Sequence, residues 1–408
     1  MYFTHPRKHL STALPSGNLE QRMALRRLSI PIFTAGFATF SLIYCIQPLM
    51  PAFSRDFAVP PATAALSLSL TTGALALSLP FSEFMASRWP YKAVILWSIF
   101  ISALLLVLAA ASETWTMLII SRTILGVTIS GVPALAMAYL HDNLDAKEAG
   151  VGMGIYISGT AFGGMGGRLL VGVIANYVGW HLALLVLGLM DFLVVGLLWW
   201  GLPSGYPVAH RPWSLRDQWR QYVELFHDRG LSRLFLVGFL LMGVFVTFYN
   251  YLSYRLMAVP FNLSQAQVGL LFSIYVIGVF SSMWMGYIGD RIGRRRILWV
   301  AFLLILIGLM LSFAHVLWLV LLGMILVTFG FFGGHSIASS WVGIRAQKRR
   351  VHGVSLYLLS FYAGSALMGS TGGLLFSHGG WHDLAWILSL LAAIGLVISW
   401  NLRHLIQK

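Results

Sequence analysis

Acidic residues are scarce in this chain, with 13 Asp and Glu against 27 Lys and Arg, and charged residues of both signs make up only 10% of its 408 residues. Soluble domains carry about 25% charged side chains, so a surface covered by water is excluded. A single cysteine, Cys45, excludes a disulfide within the chain. No Cys/His ligand cluster accompanies it, so neither a metal nor a cofactor is expected. GxSxG and HExxH are missing, which leaves a membrane-embedded hydrolase without its usual signatures. A channel stays open as a remote alternative. GxxxxGK(S/T) is missing too, which argues against a nucleotide-driven pump. No alternating strands of about ten residues appear, as a membrane β-barrel would require. Residues 1–30 are basic and lack an apolar run followed by a small-residue cleavage site, so no secretory signal peptide is expected.

What is present is apolar length: 58% of residues are hydrophobic and the mean hydropathy is +0.80. Stretches of about 20 residues, enough to cross a hydrocarbon core, fall near 31–53, 63–85, 92–111, 115–140, 150–176 and 180–202. A second set falls near 234–257, 266–288, 297–314, 316–343, 353–376 and 383–401. The predicted fold class is an all-α membrane protein, twelve transmembrane helices in two pseudo-symmetric six-helix bundles. With the N-terminus cytoplasmic, all but four of the 27 Lys and Arg lie on the cytoplasmic side or in the tails; the four are Arg55, Arg122, Arg168 and Arg255. That asymmetry follows the positive-inside rule. It accounts for the net charge of +14 without nucleic acid and places both termini in the cytoplasm.

The two sets of spans repeat each other. Trp115 pairs with Trp318, Gly131 with Gly334 and Gly150 with Gly353 at an offset of 203, while GWH 179–181 pairs with the GWH of 380–382, and Tyr156 with Tyr357, at 201. The predicted organisation is a basic tail over 1–30, a bundle over 31–202, a cytoplasmic linker over 203–233, a bundle over 234–402 and a tail over 403–408. Parallel repeats of this kind describe a transporter architecture with the substrate path between the halves.

Charge inside the spans is rare and therefore informative. Arg122 in LIISRTILG and Arg168 in SGTAFGGMGGRLLVG lie within the fourth and fifth spans. Asp191, the one acid deep in a span, sits about 16 Å from the outer end at 1.5 Å per residue. Ionisable groups at such depth face the bundle interior or a wet cavity. Similar depths allow a network in which Asp191 or Glu83 takes a proton and Arg122 or Arg168 is its partner; a permanent ion pair kept for packing is the plainer alternative. In the fifth span Gly152, Gly159, Gly163 and Gly167 cover about 80° of the helix circumference, a flat seam for a neighbouring helix. Arg168 projects about 140° from the middle of that seam. Pro48 and Pro51 bend the first span and free carbonyls that other groups must satisfy. Tyr44 and Gln47 nearby line a path or bond between helices. Asn250 in FYNYLSYR is a cavity candidate, because its amide is costly in lipid, and some tyrosines around it fit an interfacial belt. His335 is placed toward the inner end of the tenth span, as a path residue or a histidine bonded to a backbone carbonyl.

GYIGDRIGRRRIL, 286–298, with Gly286, Asp290, Arg291, Gly293, Arg294 and Arg295, resembles the G-x3-D-R-x-G-R-R loop of the major facilitator superfamily. Its counterpart EFMASRWPYKAV, 83–94, keeps Arg88 and Lys92 but has Ser87, Pro90 and Tyr91 in place of the Asp, Gly and Arg. Leu118, Arg122 and Gly126 resemble the L-x3-R-x3-G pattern, in which the family links the arginine to proton transfer. The fifth span resembles the exporters' G-x6-G-x3-G-P-x2-G-G, with Gly164 replacing the Pro and Arg168 the last Gly. Tyr44, Gln47, Pro48 and Pro51 match the YxxQPLxP pattern of the YnfM-like, or acriflavine-sensitivity, group of inner-membrane transport proteins. The resemblance implies a multi-pass secondary transporter of the inner membrane, a monomer working by alternating access, that exports a small organic compound or drug by proton antiport. Two buried arginines keep a second expectation open, proton-coupled uptake of a small anionic metabolite.

Overall fold

The computed structural model describes residues 16–144, 146–203 and 214–404, and these are almost wholly helical. The first half comprises α1 (Ser16–Tyr44), α2 (Met50–Asp56), α3 (Pro61–Ser78), α4 (Ser82–Arg88), α5 (Tyr91–Ala110), α6 (Trp115–Ile129), α7 (Gly131–Asn143) and α8 (Ala146–Gly201). After α9 (Leu215–Phe226), the second half comprises α10 (Arg229–Met257), α11 (Gln265–Leu271), α12 (Tyr275–Ile292), α13 (Arg294–Leu311), α14 (Leu317–Arg345) and α15 (Arg350–Leu402). Among the described residues nine helical stretches are long and apolar enough to cross a membrane.

Proline explains where the first half breaks. A residue without an N–H removes the bond to the carbonyl four residues earlier. Thus α1 gives way to α2 around Pro48, α3 to α4 around Pro80, and α6 to α7 just before Pro133. Pro31 does not begin α1, as the apolar run alone predicts; the helix starts at Ser16 and passes through it.

The two longest helices reverse direction inside themselves. In α8 the backbone leaves helical geometry at Gly179 (φ 83°), and in α15 at Gly380 (φ 63°), conformations that glycine reaches without steric cost. Each turn is pinned by the next residue. Trp180 Nε1 donates to Asp56 at 2.8 Å, and Trp381 Nε1 to the Ser312 carbonyl at 3.1 Å. Gly201 returns to pack on Pro31, and Trp400 returns to Trp299. The reversals therefore lie at one end of the molecule, the far end. The opposite, basic end carries Arg88, Lys92, the arginines at 294–296 and α9.

Small residues let the helices approach closely, the usual means of packing in lipid. A side chain on Gly159 or Gly163 would strike the carbonyl of Phe33 or Phe37 on α1, and one on Gly167 would meet Ser41. In the second half Gly364 of α15 packs against the Phe239 carbonyl of α10 in the same way. The halves meet along α3 and α15, where a methyl on Gly73 would lie 3.3 Å from Ala366 Cβ. They meet again at α8 and α11, where a methyl on Gly172 would lie 2.7 Å from the Gly269 Cα.

Candidate functional site: a buried arginine between the halves

The break in α1 creates the site. A helix end leaves its last carbonyls without partners, and this one ends inside the protein. Arg122 supplies the missing donors: Nη1 reaches the Leu42 carbonyl at 2.7 Å and Nη2 the Ile43 carbonyl at 2.6 Å. Its Nε lies 3.5 Å from the Ser67 carbonyl on α3. A fully buried cation at a helix C-terminus also opposes the negative end of the helix dipole. Arg122 thus holds α1, α3 and α6 together, and among the described residues it pairs with no carboxylate.

Beyond the break, Gln47 lies on the short 3-10 turn Gln47–Leu49, displaced from the line of α1. Arg168 folds back to it from α8. Nε donates to Gln47 Oε1 at 2.7 Å, and Nη1 to the Gly164 carbonyl of its own helix at 2.5 Å. An arginine only donates, so the amide oxygen of Gln47 must face it. The amide nitrogen then points to the other half, donating to Asn250 Oδ1 at 2.6 Å and more weakly to the Val246 carbonyl at 3.3 Å. Gln47 and Asn250 are 203 residues apart, the spacing of the internal repeat, so equivalent positions of the two halves bond to each other. Both are fully buried, and Arg168 is 2% exposed.

Aromatic rings surround the guanidinium. Its carbon lies 4.6 Å from the ring centre of Tyr44, 4.8 Å from Tyr275 and 5.3 Å from Phe272, within cation–π range. Tyr249 stacks edge-on against Tyr275 at 5.1 Å. The Tyr44 and Tyr275 hydroxyls are buried with no hydrogen-bond partner among the described residues, and the same holds for Asn250 Nδ2 and the Ser69 hydroxyl beside Gly369.

The structure therefore brings Tyr44, Gln47, Arg168 and Asn250 together, and leaves the other candidates apart. Asp191 is fully buried against α1, where Ser41 is the polar side chain beside it; neither carboxylate oxygen has a hydrogen-bond partner and no ion pair joins it to Arg122 or Arg168 among the described residues. Cys45 is bonded weakly to the Leu42 carbonyl at 3.6 Å. The sequence aligned the depths of Asp191 and the two arginines, but depth does not fix azimuth, and Gln47 occupies the position an acid would need. Glu83 stands on α4, and its side chain lies outside the described residues. His335 faces the Tyr357 hydroxyl at 3.0 Å, clustered with the rings of Phe331 and Phe361, and not a backbone carbonyl. The tyrosines of FYNYLSYR do not form an interfacial belt: Tyr249 bonds to Thr328, Tyr251 to the Gly369 carbonyl, and Tyr254 across the halves to the Met50 carbonyl at 2.8 Å and Ser54 at 2.7 Å.

At the basic end, Asp290 pairs with Arg294 one turn on, Arg291 lies over Tyr287, and Gly293 makes the turn with φ 98°. Gly286 faces Ser336 of α14. Gly152 of the glycine seam packs on Leu140. Asp228 caps α10, accepting from the amides of Gly230 and Leu231 at 2.7 and 3.0 Å and from Arg345 Nε at 2.8 Å. Partial burial pushes its carboxyl up, but the Arg345 guanidinium and the two amides outweigh that and hold it below the ordinary carboxylate range. Glu224 on α9 is also held low, by Arg220 and Arg349.

Sequence reading missed Phe272 and Tyr275, which supply the second half's walls around Arg168. They carry no motif. The one available signal was position, opposite the fifth span's arginine in a pseudo-symmetric pair of bundles.

A family profile described as Major Facilitator Superfamily matches residues 32–259 and 234–405. The chain belongs to the major facilitator superfamily. It is similar to YybF of Bacillus subtilis, described as an uncharacterized transporter of this type, at 36% identity over 94% of this chain and 95% of that one. It is also similar to the inner membrane transport protein YnfM of Escherichia coli, at 37% identity over 381 residues, 93% of this chain and 91% of that one. The fold matches a solved structure of the nucleoside transporter NupG with a TM-score of 0.74 at 15% identity, covering 92% of this chain and 98% of that one. The protein is thus a multi-pass membrane transporter with the all-helical fold of this superfamily.

Proposed function

We propose that the chain is a secondary active transporter of the inner membrane that moves a small organic compound outward in exchange for protons, by alternating access. One observation carries this reading: the bond between Gln47 and Asn250, equivalent residues of two halves, buried and joined directly to Arg168. A central polar contact between two rigid halves is what alternating access makes and breaks. Cross-half contacts of Tyr254 with Met50 and Ser54, and of Gly172 with Gly269, close the far end in this state. Counting two crossings for each reversing helix, and one for Arg294–Leu311, gives twelve, with both ends of the chain on the basic, cytoplasmic side. The outward direction rests on the exporter-like glycine seam of α8. Asp191 is the proton carrier in this reading, a buried carboxylate that pairs with no cation among the described residues. A second reading, proton-coupled uptake of a small anionic metabolite, is favoured by Arg168, which pairs with no carboxylate among the described residues.

A resistance and excretion screen of a deletion strain, followed by flux measurements in vesicles, tests the proposal. Saturable export that collapses with a protonophore is expected, and Asp191→Asn abolishes its pH dependence. Uptake that rises on overexpression reverses the direction; non-saturating flux makes the protein a channel.

A further inference from the structure

The hydrogen-bonding groups around Arg168 do not balance. A buried charge is costly unless paired, yet among the described residues no carboxylate reaches Arg168. Its compensation is one amide oxygen, one carbonyl and three ring faces. Nη2 has no hydrogen-bond partner among the described residues. The hydroxyls of Tyr44 and Tyr275, whose rings lie against the guanidinium, are orphaned as well. The one amide oxygen facing the arginine, Gln47 Oε1, is already taken by Nε, and the relay to Asn250 Oδ1 fixes the amides so that neither oxygen turns free. The centre is therefore rich in donors and has no spare carbonyl or carboxylate acceptor. A cation would meet the like charge of Arg168, whose guanidinium already occupies the ring faces, and a neutral molecule leaves the arginine uncompensated.

From this imbalance we infer that Arg168 is the docking point for the carboxylate of a small acid with a flat apolar body, bound with its acid group on the guanidinium and the Tyr44 and Tyr275 hydroxyls and its body among the rings of Phe272, Tyr275 and Tyr249. The inference rests on the reading of the chain as a transporter, and not on its direction. The planar fork of an arginine matches a carboxylate in a way a point charge does not. Aromatic walls favour a flat partner stacked or edge-on.

Three probes of nearly identical shape separate charge from fit: benzoate, benzamide and benzamidinium. Binding to the purified full-length protein in lipid nanodiscs at neutral pH is read by calorimetry. Benzoate is expected to bind at least about 10-fold more tightly than benzamide, with benzamidinium weakest. Arg168→Gln then weakens benzoate by about 10–100-fold and benzamide little. Arg168→Lys keeps the order with a smaller preference, and Tyr275→Phe costs benzoate about 3–10-fold. The inference is overturned by any of three results. Wild-type protein binds benzamide or benzamidinium as well as benzoate, or binds none of the three. Folded Arg168→Gln and Arg168→Lys keep the full preference. Both variants fail to fold, which makes Arg168 structural. Failure of the transporter reading looks different. Saturable, gradient-driven flux of a neutral or cationic compound keeps the transporter and overturns the acid; non-saturating flux overturns the transporter while the three probes still decide the acid.

Discussion

The fifth span of the first half reads GRLLVG over 167–172, and at the repeat's offset of 201 its counterpart in α15 reads MGSTGG over 368–373. Upstream the two helices are built alike, with Gly163 and Gly364, 201 residues apart, each resting on a phenylalanine carbonyl of the helix beside it. They part at Arg168. Its guanidinium fills the central site, whereas its counterpart is Gly369, where a side chain would begin 2.8 Å from the Ser69 hydroxyl and 3.4 Å from Asn250 Nδ2. The wider pattern agrees. Every buried charged side chain described, Arg122, Glu148, Arg168 and Asp191, belongs to the first half, and the second half's buried polar groups are neutral. Packing is thus shared between the halves while the chemistry is divided, one half carrying the buried charge and the other supplying neutral walls.

The largest effect expected comes from breaking what the halves share. Gly163→Leu drives a side chain into the Phe37 carbonyl, and Gly364→Leu into that of Phe239. Each is expected to cost more than about 3 kcal/mol and to remove folded protein from the membrane, while Gly154→Ala, with open space around it, changes little. Expression and size-exclusion profiles check this. Tolerance of one leucine and not the other would dissolve the equivalence of the two seams.

Next comes the contrast between the two arginines. Arg122→Gln removes the donors to the Leu42 and Ile43 carbonyls, leaving Leu42 only the weak Cys45 thiol bond, and is expected to destabilise by about 2–5 kcal/mol, since each buried unsatisfied group costs about 1–3 kcal/mol. Arg168→Gln removes an unpaired cation, and stability is expected to change by less than about 1 kcal/mol or to rise. Thermal unfolding in detergent compares them. A reversed order would assign the structural role to Arg168 and the functional one to Arg122.

A smaller effect follows from cutting the bond between the halves. Gln47→Leu frees Asn250 and loosens the closed far end. With a coupling of about 1–1.5 kcal/mol for one hydrogen bond, the far-end-open population rises about 5–10-fold. A Ser54→Cys reporter in a Cys45→Ser background reads this as faster labelling by an impermeant thiol reagent. An unchanged rate would mean that Gln47 serves only to orient Arg168.

Much of this architecture was legible because a bilayer leaves the backbone few choices. Apolar length located the spans, Pro48 the bend in the first, and glycine spacing at Gly159, Gly163 and Gly167 the seam, while the breaks at Pro80 and Pro133 fall inside spans read as continuous. The resemblance of GYIGDRIGRRRIL matched the family. The site was legible in its members but not in its pairing. Tyr44, Gln47, Arg168 and Asn250 each stand out in the sequence, yet similar depths suggest pairing Arg122 or Arg168 with Asp191 or Glu83, and not Arg168 with Gln47. Rise per residue fixes depth along an axis; it does not say that Pro48 displaces Gln47 into the arginine's path. Phe272 and Tyr275 were invisible for a related reason, since an aromatic residue in an apolar span has no local mark of facing a cation in the other half.

The smallest prediction concerns the basic end, where the charged contacts belong to the second half. Asp228 joins the start of α10 to the end of α14 through Arg345. Its carboxyl is held below the ordinary range in the folded protein, so its contribution is fully present above about pH 4, the usual value for the unfolded chain. It is lost as pH falls through the depressed folded value. Asp228→Asn keeps the two amide bonds and loses the ion pair with Arg345. The expected loss at neutral pH is about 0.5–1 kcal/mol, discounted because the pair is partly open to solvent. The difference between wild type and variant should vanish as the pH is taken below 4. Chemical unfolding from pH 7 to pH 3 measures it. A difference that persists in acid would show that the side chain acts by capping α10 alone, and the two helix ends would then be held by packing and not by charge.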